Sequence, residues 1–299
     1  MTSVFAHVIV PVDGSVTADR GVALALELTA GGGSITFCSV VDPTVLCIPE
    51  AEVGGLDFGP LLTALDEDAE IFCREAQAKS VAAGVRADVV VLHGQCVSVI
   101  EQLAKDNPCD AVVLGTHART GLDRMVLGSV TEGLLRSIDT PIVVAHQDDE
   151  VRTGPVLVAV DDSPAAAAAV SEAIFIAASR GNALALVHVM HPDHPDAAGA
   201  NPVLERAARE AGERGLAVSL LLRRGDACNE LIAAADELES CMIVMGTHGR
   251  SLVPRLLLGS VAQAVVERAR VPVMTIRRSG RVPRPASVRI SKTVAGIHA

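Results

Sequence analysis

The sequence predicts an α/β fold: two tandem open parallel sheets of five strands each, with helices on both faces. Three observations predict it. The chain repeats itself, since HVIVPVDGS at 7–15 returns as PVLVAVDDS at 155–163, and GTHARTGLDRMVLGSV at 115–130 returns as GTHGRSLVPRLLLGSV at 246–261. Within each copy, short β-branched runs alternate with longer helical patterns, the signature of βαβ units and parallel pairing. Finally, runs such as DAVVLG and CMIVMG are continuously apolar rather than alternating, as strands covered on both faces require.

Taken in order, the first copy places strands near 7–13, 34–41, 87–93, 111–115 and 141–145, and the second near 155–161, 182–189, 216–223, 242–246 and 272–277. About four helices fall between the strands of each copy. Between 115 and 141, ten of 27 positions are identical once the two copies are aligned, which favours duplication over chance. The stretch from Asp13 to Gly115 is longer than its counterpart from Asp161 to Gly246, so the first copy carries extra chain, expected around Asp42 to Pro60 as a loop rich in glycine and proline. The resulting division is residues 1–148, residues 153–279 and a basic tail over 280–299, expected to be disordered.

Composition bounds the function. The 299 residues are 49% hydrophobic, and their formal charge of −11 conceals a split: six basic residues and no acid lie between Arg277 and the end, leaving the rest at −17. An acidic body argues against nucleic acid as a partner, and the sparse basic tail does not amount to a specific site. The N-terminal stretch reads as a strand rather than a secretion signal. The most apolar helical run, 164–180, is short for a bilayer and contains Glu172, so the expectation is a cytoplasmic protein without a membrane partner. Seven cysteines without C-x-x-C spacing are read as reduced, mostly buried thiols.

The residues that could carry chemistry sit at strand ends. After Gly115 and Gly246, a loop leads to Gly128-Ser129 and Gly259-Ser260 at a helix start, where exposed amides and the helix dipole favour an anion. A structural explanation competes: Ser129-x-x-Glu132 and Ser260-x-x-Gln263 both spell a capping box. Asp13 and Asp161 end the first strand of each copy, at the carboxyl edge where open α/β sheets bind ligands, and could accept hydrogen bonds from ribose or simply form a turn. His117 and His248 have no base–nucleophile companion, and neither G-x-x-x-x-G-K-[ST] nor G-x-G-x-x-G occurs, so no catalytic residue is assigned. The HVMHPDHPD stretch gathers His188, His191 and His194 with Asp193 and Asp196, but reads as a strand end and an exposed loop rather than a metal site.

This constellation resembles the universal stress proteins, whose nucleotide-binding members carry G-x-x-G, nine residues, then G-[S/T]. The second copy matches with Gly246, Gly249 and Gly259-Ser260; the first has Gly115, Gly128 and Ser129 but Ala118 in place of the second glycine. The resemblance spans about residues 5 to 278. It implies a Rossmann-like sheet of order 3-2-1-4-5 and ATP, with magnesium as its companion ion, or a related adenine nucleotide in each domain. Adenine would rest near Val160, Val189 and Met245, ribose near Asp161, and phosphates on Gly246, Gly249, Gly259, Ser260 and Val261, with His248 beside them. The first copy offers Val12, Asp13, Val40, Leu114, Gly115, Gly128, Ser129 and Val130. Arg119 and Arg250 could pair with phosphate or stay solvated.

Ala118 adds a methyl group and removes easy access to positive φ, so weaker binding is expected in the first copy. The family often pairs its fifth strands between subunits; here PIVVAH and PVMTIR are expected to pair within the chain, whether or not a homodimer also forms. The expected function is an ATP-binding stress protein whose nucleotide acts as a conformational or stability ligand, with weak hydrolysis at most. The alternative is a nucleotide-independent interaction module of the same fold.

Overall fold

The computed structural model describes residues 3–42, 59–116, 127–146, 149, 151–190, 197–248 and 258–277. Among the described residues, ten strands form one sheet. In the first half these are β1 (His7–Pro11), β2 (Ser34–Val41), β3 (Arg86–His93), β4 (Ala111–Thr116) and β5 (Ile142–His146). The second half supplies β6 (Val156–Ala159), β7 (Leu184–Met190), β8 (Val218–Arg224), β9 (Met242–Gly246) and β10 (Val273–Ile276). The order is β3-β2-β1-β4-β5-β10-β9-β6-β7-β8, so each half runs 3-2-1-4-5 from its outer edge to the centre. Every neighbouring pair is parallel except β5 and β10, which meet antiparallel with Met274 opposite Val143. A local two-fold therefore joins the halves through their fifth strands, which would otherwise be apolar edges.

Helices cover both faces, as the unbroken apolar strands demand. On one face lie α1 (Val16–Thr29), α2 (Gly59–Ala82), α5 (Pro164–Arg180) and α6 (Ala197–Gly212), whose Val22, Cys73, Ile174 and Leu204 share a core with Val8, Phe37 and Val158. On the other lie α3 (Cys96–Asp106), α4 (Ser129–Ser137), α7 (Ala227–Glu237) and α8 (Ser260–Arg268), contributing Ile100, Leu134, Leu231 and Val265 to a core with Ile9, Val112 and Ile243. The connection from β2 to β3 runs over 42–85 and the shorter one from β7 to β8 over 191–217, so the extra chain of the first half falls there. Part of it lengthens α2, which has 24 residues against 16 in α6; residues 43–58 of the expected insertion lie outside the described residues.

Glycine at 115 and 246 serves close helix–strand packing. A Cβ on Gly115 would overlap the Thr17 carbonyl in the first turn of α1, and one on Gly246 would lie 2.8 Å from the Ala165 Cβ in the first turn of α5. Among the described residues, Cys38, Cys73, Cys228 and Cys241 are buried thiols, while Cys96 is half-buried. No described helix is long and apolar enough to cross a membrane.

Candidate functional site

In each half the strand order reverses between the first and fourth strands, and the carboxyl ends of those strands open a crevice. In the second half this is a cavity of about 300 Å³, the lower end of the range for small-molecule pockets. Around it stand Val160, Asp161, Val189, Met245, Gly246, His248, Gly259, Ser260 and Val261. The corresponding cavity of the first half, about 240 Å³, is bounded by Val12, Asp13, Val40, Leu114, Gly115, Gly128, Ser129 and Val130. Residues far apart in sequence thus converge on one crevice in each half. Ala118, Arg119, Gly249 and Arg250, together with His117, lie outside the described residues.

The polar end of each cavity is a helix start. Here the sequence expectation of a capping box is overturned: the residue capping α4 is Gly128 and that capping α8 is Gly259, and among the described residues neither helix receives a side-chain cap. Ser129 and Ser260 are instead the first helical residues. Glu132 pairs with Arg136 at 2.5 Å, and Gln263 donates to Glu267 at 2.9 Å, so neither reaches back to the helix start. The reason is register, since the glycines take the extended conformation of a cap (φ −61 at both) one residue before the serines. The first-turn residues Ser129 and Val130, and Ser260 and Val261, line the two cavities, which puts the positive end of each helix dipole at the crevice.

Gly259 is held to the sheet by its own amide, which donates to the Thr247 carbonyl at 2.9 Å. A Cβ at Gly259 would come within 2.6 Å of that oxygen, so glycine is required for α8 to begin this close to β9. Beside it, the Thr247 hydroxyl and His248 Nδ1 are 2.9 Å apart, which orients the His248 ring at the cavity wall.

Asp13 and Asp161 prove to combine the turn role with an open position. Asp161 Oδ1 accepts from the Ser163 amide at 2.9 Å, and Asp13 Oδ1 from the Ser15 amide at 3.0 Å. Ser163 and Ser15 then cap α5 and α1 by accepting from Ala166 and Ala18 at 3.1 Å. Among the described residues the second carboxylate oxygen of each aspartate makes no hydrogen bond. His188 lies within β7, where its Nδ1–H donates to the Val160 carbonyl at 2.7 Å and braces the cavity wall. His191, Asp193, His194 and Asp196 lie outside the described residues, and no metal-ligating cluster occurs among those described.

Sequence reasoning missed the first turns of α3 and α7. Cys96 and Ile100 line the first cavity, and Ala227 and Leu231, at the matching positions of the repeat, line the second. The repeat carried the signal, because every helix that follows a strand begins at the same carboxyl edge. The two cavities also differ in kind. Cys38, Cys96 and Thr131 line the first, where the second has Val187, Ala227 and Ala262 at the matching positions of the repeat. Burial raises the thiol pKa of Cys38 and, to a lesser degree, Cys96, so both present neutral S–H groups.

Comparison with known proteins places this geometry. The model of the universal stress protein family matches twice, over residues 5–146 and 153–277. A universal stress protein of Mycolicibacterium smegmatis is 31% identical over 294 residues, covering 90% of this chain and 96% of its own. One from Mycobacterium tuberculosis is 30% identical over 295 residues, covering 91% and 97%. Among solved structures, a universal stress protein from Archaeoglobus fulgidus superposes with a TM-score of 0.74 at 23% identity, covering 91% of this chain and 98% of that one, a likeness of fold.

Proposed function

The chain belongs to the universal stress protein family, and from that premise we propose that it binds an adenine nucleotide, ATP with its magnesium ion foremost, in the crevice of the second half. One observation carries the reading. Among the described residues the start of α8 has no side-chain cap, and it opens on a cavity that also holds a strand-end carboxylate and an apolar wall. Phosphate suits the Ser260 and Val261 amides, ribose hydroxyls suit Asp161, and a flat apolar base suits Val160, Val189 and Met245. Gly249 and Arg250 would complete the phosphate contacts. The nucleotide is a conformational and stability ligand rather than a substrate turned over, and a reducing compartment, the cytoplasm, suits the free thiols Cys38, Cys73, Cys96, Cys228 and Cys241.

The first half binds more weakly on this reading. Ala118 occupies a position where the second half has Gly249, and its methyl group would stand where the backbone has to approach phosphate closely.

Thermal melting of the full-length protein with ATP and magnesium tests the proposal. At a hundredfold excess over Kd, a ligand bound only by the folded state adds about 2.7 kcal/mol. In a protein of this size that corresponds to a rise of roughly 5 °C. Calorimetric titration should resolve one tighter and one weaker site, and Ala118→Gly should strengthen the weaker. No thermal shift, together with no nucleotide in the mass spectrum of the purified protein, would favour a nucleotide-independent interaction module.

A further inference from the structure

The ends of the two fifth strands make contacts that the pairing of β5 with β10 does not itself require. His146 closes β5 and Arg277 follows β10, and the two occupy one position in the repeat, as Gly115 and Gly246 do. Each reaches across the junction. His146 Nε2–H donates to the Val266 carbonyl, 2.6 Å away in the last turn of α8. Arg277 Nη1 donates to the Arg136 carbonyl in the last turn of α4, and its Nε lies 4.0 Å from the Asp139 carboxylate just beyond that helix. Both side chains are about nine-tenths buried, with 7% exposure for His146 and 11% for Arg277.

The last carbonyls of a helix have no donor within it and carry the negative end of its dipole. A donor fixed there holds the helix at a set position along its axis. The apolar faces of α4 and α8, with Leu134, Leu135 and Val265 fully buried, set the height of each helix above the sheet. Apolar contact is non-directional and resists small sliding along the axis only weakly; at the start of α8 the Gly259 amide bond to the Thr247 carbonyl is a second directional anchor, so the His146 bond fixes the opposite end. At nine residues, α4 and α8 are about 13 Å long, short enough for a shift at one end to appear at the other. Their other ends, Ser129 and Ser260, line the two cavities, where the proposed function puts phosphate.

We propose that His146 and Arg277 are crossed positioning residues. Arg277, in the second half, sets the phosphate-binding end of α4 in the first, and His146, in the first half, sets that of α8 in the second. The affinity of each crevice for nucleotide then depends on a residue of the opposite half. The claim about affinity rests on the nucleotide reading above; the claim about helix position does not.

Hydrogen exchange followed by mass spectrometry on the full-length chain reads both. Peptides covering 129–137 and 260–268 report each helix separately, and their protection during an ATP titration gives each site's affinity. Arg277→Ala should speed exchange in 129–137 and weaken the first site by about tenfold, one hydrogen bond's worth, while sparing 260–268. His146→Ala should do the reverse. Arg277→Lys and His146→Gln keep a donor and should recover most of each loss, which separates a lost grip from a disturbed fold. Effects confined to the mutated residue's own half, equal effects on both helices, or no effect on either would overturn the proposal. If ATP protects neither helix in the unaltered chain, the nucleotide reading fails, and exchange in the ATP-free variants still decides whether the grips are crossed.

Discussion

Gly259→Ala separates the two demands made on the start of α8. The dihedral of Gly259, φ −61, is ordinary for alanine, so no backbone strain is introduced. The cost is steric: the new Cβ would stand 2.6 Å from the Thr247 oxygen, where ordinary contact begins at 3.4 Å. The helix start must therefore move by up to 0.8 Å, the difference between those distances. Such a displacement takes a hydrogen bond of about 2.9 Å to nearly 3.7 Å, beyond useful range. Losing one charge-assisted bond between a helix amide and phosphate costs about 1.5–3 kcal/mol. ATP affinity measured by calorimetric titration should therefore fall by about 10- to 150-fold at the second site, while the first site is unchanged. An unchanged affinity in a variant that melts lower would show that the glycine serves packing alone, and the phosphate assignment would have to move elsewhere.

Two further outcomes probe the fold beneath the site. Met274 and Val143 face each other at the junction, both without solvent exposure. Met274→Lys removes a buried side chain and inserts a charge, which should cost at least about 3 kcal/mol and lower the melting temperature by several degrees; an unaltered melt would contradict the buried pairing. His7, at the start of β1, has its pKa held below the usual 6.5 by burial, against the opposing pull of the Pro108 carbonyl and the Asp110 and Asp88 charges. The folded protein thus binds the proton less readily than the unfolded chain. The stability associated with neutral His7 is complete above pH 6.5 and declines as pH falls through the lowered folded value. Chemical denaturation should show wild type losing stability relative to His7→Asn as pH drops from 7 to about 5; parallel pH profiles would refute this.

Much of this was legible because the repeat supplies an internal comparison. All ten strands fall within about two residues of their expected positions, since continuous apolar runs between turn residues leave little freedom in where a buried strand can lie. The pairing of the fifth strands followed from the resemblance and from the need to cover an apolar edge. The cap could not be read correctly. Ser-x-x-Glu has the same composition whether serine caps the helix or begins it, and only the contact of Gly259 with the Thr247 carbonyl fixes which. By contrast, Ser15 and Ser163 do cap their helices, with an aspartate two residues earlier pinning the turn. The reason for Gly115 and Gly246 was equally hidden, because a glycine demanded by a neighbouring helix looks in sequence like one demanded by a loop.

The antiparallel seam between β5 and β10 bears on how this chain acquires its shape. Only the segment from His146 to Val156 ties the halves in sequence, and a tether of that length keeps them at an effective concentration in the millimolar range. A seam resting on four- and five-residue strands can then stay closed at any dilution of the protein. Cutting the tether would make the same seam sensitive to dilution, and the two fragments would behave as a heterodimer whose assembly obeys mass action. Two intact chains, each with its tether extended, could also trade halves across identical seams. Crowding many copies together therefore favours exchanged dimers, whose formation rises with concentration while closure within one chain does not.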